Sequence, residues 1–267
     1  MFRLLSIGVI TQTSKRDHLE ILWEALIRQT CIGPFEIILF SEEGATWPRT
    51  LENRYILRPF TYRKPFRIGS VRNGILEISK SKYLLFVDDD IAISPYYLEM
   101  LVSAIQSQHP TVLAGLTYHA FKRPKEFLQL YIRTPWEKLV RTVGKRDNYS
   151  RRIGRYQTCS SEQAKRKMIK DDNWLGAIGR NMLVDKEIAL QNRFIEMETM
   201  GFEDLEFAYR QQMLGRNVVL TNALDLACLH VFHDAAESKM HDYAKTFAAL
   251  VAEQRLPLSS QKWFFPN

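Results

Sequence analysis

"YLLFVDDDIAISP" (residues 83–95) sets a bounded run of β-forming apolar residues directly against three consecutive aspartates. Tyr-Leu-Leu-Phe-Val is apolar at every position rather than at alternate ones, as in a strand buried on both faces of a parallel sheet. Adjacent carboxylates at the end of such a strand repel one another and lose water together, which is costly unless a cation or a donor array meets them. The competing reading is a solvated acidic turn in which one Asp caps the next helix. The flanking sequence decides between the two.

Upstream, strand and helix patterns alternate. "RLLSIGVI" reads as a strand, and "TSKRDHLEILWEALIRQ" has capping residues followed by Leu19, Leu22, Trp23 and Leu26 at helical spacing. "FEIILF" is a second strand leading to "SEEG", "RIGSVRNGILEISKS" a second helix, and "YLLFV" the third strand. This order implies right-handed crossovers and a doubly wound, mostly parallel α/β sheet. Ligands of such sheets bind beyond the C-terminal strand ends, which here carry Thr11, Glu42-Glu43 and Asp88-Asp89-Asp90. Three polar ends meeting in one crevice favour a site over a solvated turn.

At 267 residues, 46% apolar and 25% charged, the chain has the composition of a globular protein with room for a large core. Cys31, Cys159 and Cys228 are far apart and odd in number, which argues against a disulfide framework or zinc ribbon and suits a reducing, cytoplasmic compartment. "MFRLLSIGVI" is too short in its apolar part for a secretory leader and reads as the first strand, and no run approaches a membrane span. The net charge of +7 is uneven. Residues 122–170 hold fifteen Lys/Arg against four acids, leaving twenty-two basic against twenty-six acidic residues elsewhere. That asymmetry points to a polyanionic partner or a membrane surface.

Downstream, "EFLQLYIRTPWEKLVRTV" has a helical pattern and "GKRDNYSRRIGRYQTCSS" none. "GFEDLEFAYRQQMLG" is a helix with Glu203 and Asp204 in its first turn, "LHVFH" a strand carrying His230 and His233, and "ESKMHDYAKTFAALVAEQR" a closing amphipathic helix. No GxxxxGK[ST] loop occurs and no GxGxxG follows the first strand, which argues against P-loop and dinucleotide chemistry. A nucleoside diphosphate can instead be held through Mg²⁺ or Mn²⁺ on carboxylates such as Asp88 to Asp90. On their own, Glu203-Asp204 also read as helix-dipole stabilisers, His230 as a packed residue, Arg72 as a solvated one and Trp174 as core.

Taken together, these stretches resemble the family-2 glycosyltransferases of the GT-A fold. "RIGSVRNGILEISKSKYLLFVDDDI" is similar to that family's helix and the strand ending in its DxD motif. "FEIILFSEEG" resembles a strand that there ends in Asp-Asp-Gly, "GFEDLEFAYRQQMLG" the Gly-x-Glu-Asp helix, and "LHVFH" the late metal-binding histidine. The resemblance runs from about Leu5 to His233, with residues 119–170 unmatched.

It implies a metal-dependent, inverting sugar transfer from a nucleotide-sugar donor, with a UDP-sugar as first expectation and Mn²⁺ or Mg²⁺ as cofactor. Thr11 and Glu42 would hold the donor's base, Arg72 its base or diphosphate, Asp88 the ribose, with Asp89 beside it. Asp90 and His230 would ligate the metal, Asp204 would be the general base, and Glu203 would help orient the acceptor. Trp174 would stack on an acceptor ring, and Arg151, Arg152 and Arg155 would lie on the acceptor side.

The resulting organisation is a nucleotide-sugar half (1–118), a basic inserted acceptor-side lobe (119–172), a catalytic and acceptor half (173–234), and a C-terminal helix and tail (235–267). A glycan or lipid-linked saccharide is the expected acceptor, with the basic segment and "KWFF" at the inner membrane face. A nucleic acid is the alternative, its bases stacking on Tyr131, Trp136, Tyr149 and Tyr156. A non-catalytic nucleotide- or carbohydrate-binding module is the third reading.

Overall fold

The computed structural model describes residues 3–11, 16–31, 33, 35–41, 46–62, 67–146, 173–197, 201–231 and 237–261. The first half alternates as expected: β1 (Arg3–Thr11), α1 (Arg16–Ile27), β2 (Glu36–Ser41), α2 (Arg49–Glu52), β3 (Ile56–Thr61), α3 (Ile68–Ile78) and β4 (Ser81–Asp88). β5 (Ile91–Ile93), α4 (Tyr97–Gln108), β6 (Val112–Gly115), β7 (Thr117–Ala120), α5 (Pro124–Arg133), α6 (Trp136–Val143) and β8 (Gly144–Arg146) follow. After a 3₁₀ turn at Asn173–Gly176 come β9 (Asn181–Asp185), α7 (Lys186–Gln191), α8 (Glu203–Met213), β10 (Val218–Thr221), β11 (Cys228–Val231) and α9 (Glu237–Ala252).

Among the described residues, seven strands form one sheet in the order β10-β6-β9-β4-β1-β2-β3, in which β9 alone runs antiparallel to its neighbours. The doubly wound, mostly parallel sheet read from the sequence is therefore present. β4 lies between β1 and β9, so its side chains enter two cores. Tyr83, Leu85 and Val87 pack on one face, with α1, α4, α5 and α6. Leu84 and Phe86 pack on the other, with residues of α3, α8 and α9. Burial on both faces is why this strand carries no polar alternation.

The edge strand β3 escapes the sequence pattern because it contains Pro59 and stays largely exposed. At an edge, a missing N–H leaves no partner unmet. A second sheet, β5-β11-β7-β8, was likewise not anticipated. Its strands are three or four residues long, too short to show a period. It joins β5, just past the aspartates, to β11 with His230.

The single helix expected around residues 126–143 is two, α5 and α6, broken at Thr134-Pro135 because proline disfavours helical geometry in the residue before it. Both helices are built into the core through Phe127, Tyr131, Trp136, Leu139 and Val140. Tyr131 donates its hydroxyl to Ile93 O at 2.9 Å, and Trp136 Nε1 donates to Leu224 O at 2.9 Å. These two rings are structural, which corrects their reading as base-stacking surfaces. Tyr149 and Tyr156 lie outside the described residues.

Buried polar groups tie the layers. Gln29 Nε2 donates to Ala25 O and Ser94 O at 2.9 and 2.8 Å, while its Oε1 accepts from Leu98 N at 2.9 Å. This fixes α1 to the corner between β5 and α4. Asn181 Nδ2 donates to Leu226 O at 3.0 Å, and its Oδ1 accepts from the Tyr97 hydroxyl. Gly115, at the end of β6, lies against the same Leu226 carbonyl, and a β-carbon there would overlap that oxygen. We therefore expect Gly115→Ala to lose at least about 2 kcal/mol in urea denaturation, since backbone gives way less readily than a flexible side chain. An unchanged midpoint would contradict this packing.

Candidate active site

The C-terminal ends of β1 and β4 meet where the pairing of Ile10 with Asp88 closes their ladder. The three aspartates then diverge. Asp88 is partly exposed, whereas Asp89 and Asp90 are 3% and 2% exposed. Thr11 Oγ1 donates to Asp89 Oδ2 at 2.7 Å, and Thr11 O accepts from the Tyr62 hydroxyl at 3.2 Å. The Thr11 hydroxyl and Asp89 are thus engaged with each other at the base of the crevice. Withdrawal from water raises the Asp88 pKa, and Asp90 raises it further, against the pull of Arg180, Arg72 and His230.

Asp90 faces the second sheet. Its carbonyl accepts from Val231 N at 2.8 Å, and its Oδ1 lies 3.4 Å from His230 Nε2. On the other side of the His230 ring, Nδ1 meets Nδ1 of His119 at 3.0 Å. Burial, helped by His230 and Arg180 and opposed by Asp90, holds the His119 pKa down at about 4. Among the described residues, no group of three or more His, Cys, Asp or Glu is assembled to hold a metal by itself. Asp90 and His230 nevertheless offer the carboxylate oxygen and imidazole nitrogen that suit Mn²⁺. Their spacing is close to the roughly 3 Å between neighbouring ligands of an octahedral ion with bonds of about 2.1 Å. They fit such an ion as part of a shell that other ligands would complete.

Across the crevice, Gly201 and Phe202 both have positive φ, 101° and 67°. The second is unusual for a bulky residue. Burial of the Phe202 ring against Tyr243 and Phe247 offsets that strain. The turn delivers Glu203 and Asp204 into the first turn of α8 with different surroundings. Both Asp204 oxygens accept backbone N–H groups, Oδ2 from Gly179 at 2.7 Å and Oδ1 from Leu205 at 2.7 Å. The carboxylate is thereby locked in one orientation and remains 8% exposed. Glu203 instead pairs with Arg72 in the interior.

Arg72, expected at the donor, is 3% exposed. Its guanidinium lies 5.7 Å from the centroids of both Phe86 and Phe194 and against Gly179, where a β-carbon would overlap it. Burial favours loss of its charge, but Glu203, Asp204 and Asp88 prevail and raise its pKa. The next residue of the Arg-Asn-Gly step, Asn73, clamps the backbone of Phe194, donating to its O at 2.9 Å and accepting from its N at 3.0 Å. Trp174 is 2% exposed and packs edge-on against Tyr209, so its ring belongs to the core rather than to an open stacking surface. Glu42, Arg151, Arg152, Arg155 and His233 lie outside the described residues.

Two residues that the sequence reading did not single out stand beside the site. Arg180, partly buried between Gly179 and Asn181, acts electrostatically on Asp88, His119 and Tyr243. A cation in the glycine-containing "GAIGRN" turn was its only sequence signal. His119 was legible only as the third residue of "TYHA", which aligns with the histidine of "CLHV" once β7 and β11 are paired.

Burial, together with Asp204 and against the pull of Arg72, raises the Glu203 pKa to about 7. The folded chain therefore keeps a proton that the unfolded chain releases above the usual 4.5. The associated stability is fully present below that value and is lost as pH rises towards about 7. In urea melts, Glu203→Gln should gain on wild type between about pH 5 and pH 7.5. A constant difference between the two across that range would contradict the raised pKa.

The family described as glycosyl transferase family 2 matches residues 6–189. No curated protein matches the chain by sequence. Among solved structures, S. aureus TarS 1–349 in complex with UDP-GlcNAc superposes with a TM-score of 0.57 at 15% identity, covering 93% of this chain and 66% of that one. The mannosyltransferase PcManGT from Pyrobaculum calidifontis, in complex with GDP-Man and Mn²⁺, gives 0.58 at 12% identity, covering 99% and 68%. S. aureus TarS gives 0.54 at 15% identity and covers 98% and 47%. The chain thus spans about two thirds of the first two structures and under half of the third. Identities this low show a shared fold, the GT-A arrangement of the sheet. The family match covers well over half of the chain, and this protein is a transferase that belongs to glycosyl transferase family 2.

Proposed function

We propose that the protein is a metal-dependent, inverting glycosyltransferase that moves a sugar from a nucleotide-sugar donor to an acceptor hydroxyl of a glycan or lipid-linked saccharide. The observation that carries this reading is the doubly anchored Asp204 carboxylate at the start of α8, near enough to Asp88 that both act on Arg72 and Tyr243. Neighbours with this fold hold UDP-GlcNAc, or GDP-Man with Mn²⁺, which supports a nucleotide-sugar donor and a divalent ion.

In this reading Asp90 and His230 hold the ion, and Asp88 binds the donor's ribose. The ion supplies charge neutralisation at the leaving diphosphate. Arg180, partly buried beside Asp88, adds a fixed cation where negative charge develops. The acceptor oxygen forms its bond to the sugar's anomeric carbon as the bond from that carbon to the diphosphate breaks. The electron pair leaves with the diphosphate, and the acceptor proton passes to Asp204. Glu203 is committed to Arg72 inside the protein, which leaves Asp204 as the member of this acidic pair that acts as base, and a single displacement inverts the anomeric centre.

Arg72 serves in this account as the counter-ion of Glu203 rather than as a donor ligand. The acceptor side is read from charge. Lys122, Arg123, Lys125, Arg133, Lys138, Arg141 and Lys145 are exposed against Glu126 and Glu137 in the same stretch, beside an exposed Phe121. Such a surface suits an anionic membrane face. Among the described residues, no helix is long and apolar enough to cross a membrane.

Asp204→Asn should retain donor affinity within about threefold and lower turnover by at least about 10²-fold, the scale of a lost general base. A screen of uridine, guanosine and cytidine diphosphate sugars with Mn²⁺ selects the donor for this assay. A variant that turns over normally would contradict the assignment of Asp204. A wild-type chain that binds donor yet never transfers or hydrolyses it would make the protein a binding module.

A further inference from the structure

We propose that His119 is a positioning residue that presents the His230 lone pair to a divalent ion at Asp90, an inference that rests on the metal reading above. His119 on β7 and His230 on β11 are partners in a parallel ladder, so their side chains leave the same face of the sheet side by side. The rings stand 5.0 Å apart at 76°, with the two Nδ1 atoms 3.0 Å from each other. One hydrogen belongs between them, because two would collide and none would oppose two lone pairs.

Which ring carries that hydrogen decides what His230 does at Nε2, 3.4 Å from Asp90 Oδ1. A neutral imidazole has a single N–H. When His230 carries it on Nε2, it points at Asp90, and Nδ1 accepts from His119. That state binds no ion. When His230 carries it on Nδ1, it donates to His119, and the bare Nε2 faces the Asp90 oxygen. Two electron-rich atoms so placed are stable with a cation between them. His119 must then accept at Nδ1 and carry its own hydrogen on Nε2. Uptake of the ion therefore leaves each ring with its hydrogen on the other nitrogen and with no net proton gained or lost. Metal-binding histidines usually give their second N–H to a carboxylate, carbonyl or water. An imidazole in that place can reverse the bond when the ion departs.

The test titrates Mn²⁺ alone into the whole chain, following the electron paramagnetic resonance of the free ion, with a melting temperature for every variant. His119→Phe and His119→Val lack the acceptor and should weaken binding about 10- to 100-fold. His119→Asn, whose side-chain oxygen can stand near the lost Nδ1, should stay within about threefold of wild type. Wild-type affinity in the apolar variants, or an equal loss in His119→Asn, would overturn the inference. In the unmutated chain, long-range ¹H–¹⁵N spectra with and without Mg²⁺ should show His119 moving its hydrogen from Nδ1 to Nε2. An unchanged His119 tautomer beside a shifted His230 would also overturn it. Wild-type Mn²⁺ affinity in His230→Phe would instead refute the metal reading itself.

Discussion

A buried guanidinium beside a pair of aromatic rings holds this site in register. Arg72 rises from α3, lies against both Phe86 of β4 and Phe194 beyond α7, backs onto Gly179, and pairs with Glu203 at the head of α8. Four segments distant in sequence thus converge on one charge. Removing one partner of a buried pair costs about 3–5 kcal/mol, because the other charge is left without compensation. The same pairing draws Glu203 inward, and the next residue along the helix, Asp204, meets the crevice. Gly179, which yields space to Arg72, also donates its N–H to Asp204. One contact therefore sets both the packing and the direction of the proposed base.

The opposite wall of the crevice follows a different logic. Three carboxylates at the end of a buried strand are unfavourable together, and the fold disperses them. Asp89 is satisfied within the large sheet by Thr11, Asp90 turns to the small sheet and His230, and Asp88 stays closest to solvent. The strained turn at Gly201-Phe202 is a second local cost, accepted at the point where α8 must enter the crevice.

Much of this was legible in the residues. The apolar run before Asp88 announced a doubly buried strand, and the alternation of strand and helix patterns over the first hundred residues announced the parallel half of the sheet. Patterns shorter than a period were lost, which is why β5, β6 and β7 went unseen, and β3, an exposed edge strand that contains Pro59, was not picked out. At the site, sequence identified residue types but not the direction in which side chains point. Arg72 and Trp174, given ligand roles by the family resemblance, prove to be buried in the core. His119 acquires meaning only when β7 pairs with β11, and Arg180 only when the turn before β9 reaches the end of β4. Interactions set by strand pairing between distant segments leave little trace in a local window.

The central claim is that the strand ending in Asp88–Asp90 forms, with His230, a metal-dependent site for a nucleoside diphosphate. Calorimetry of UDP and GDP binding to wild type and Asp90→Asn, each with and without Mn²⁺, tests it most directly. Binding of one nucleotide should strengthen at least about tenfold with Mn²⁺ in wild type, and that gain should be lost in a folded Asp90→Asn chain. The same Mn²⁺ gain in Asp90→Asn as in wild type, or no gain in wild type for either nucleotide, would contradict it.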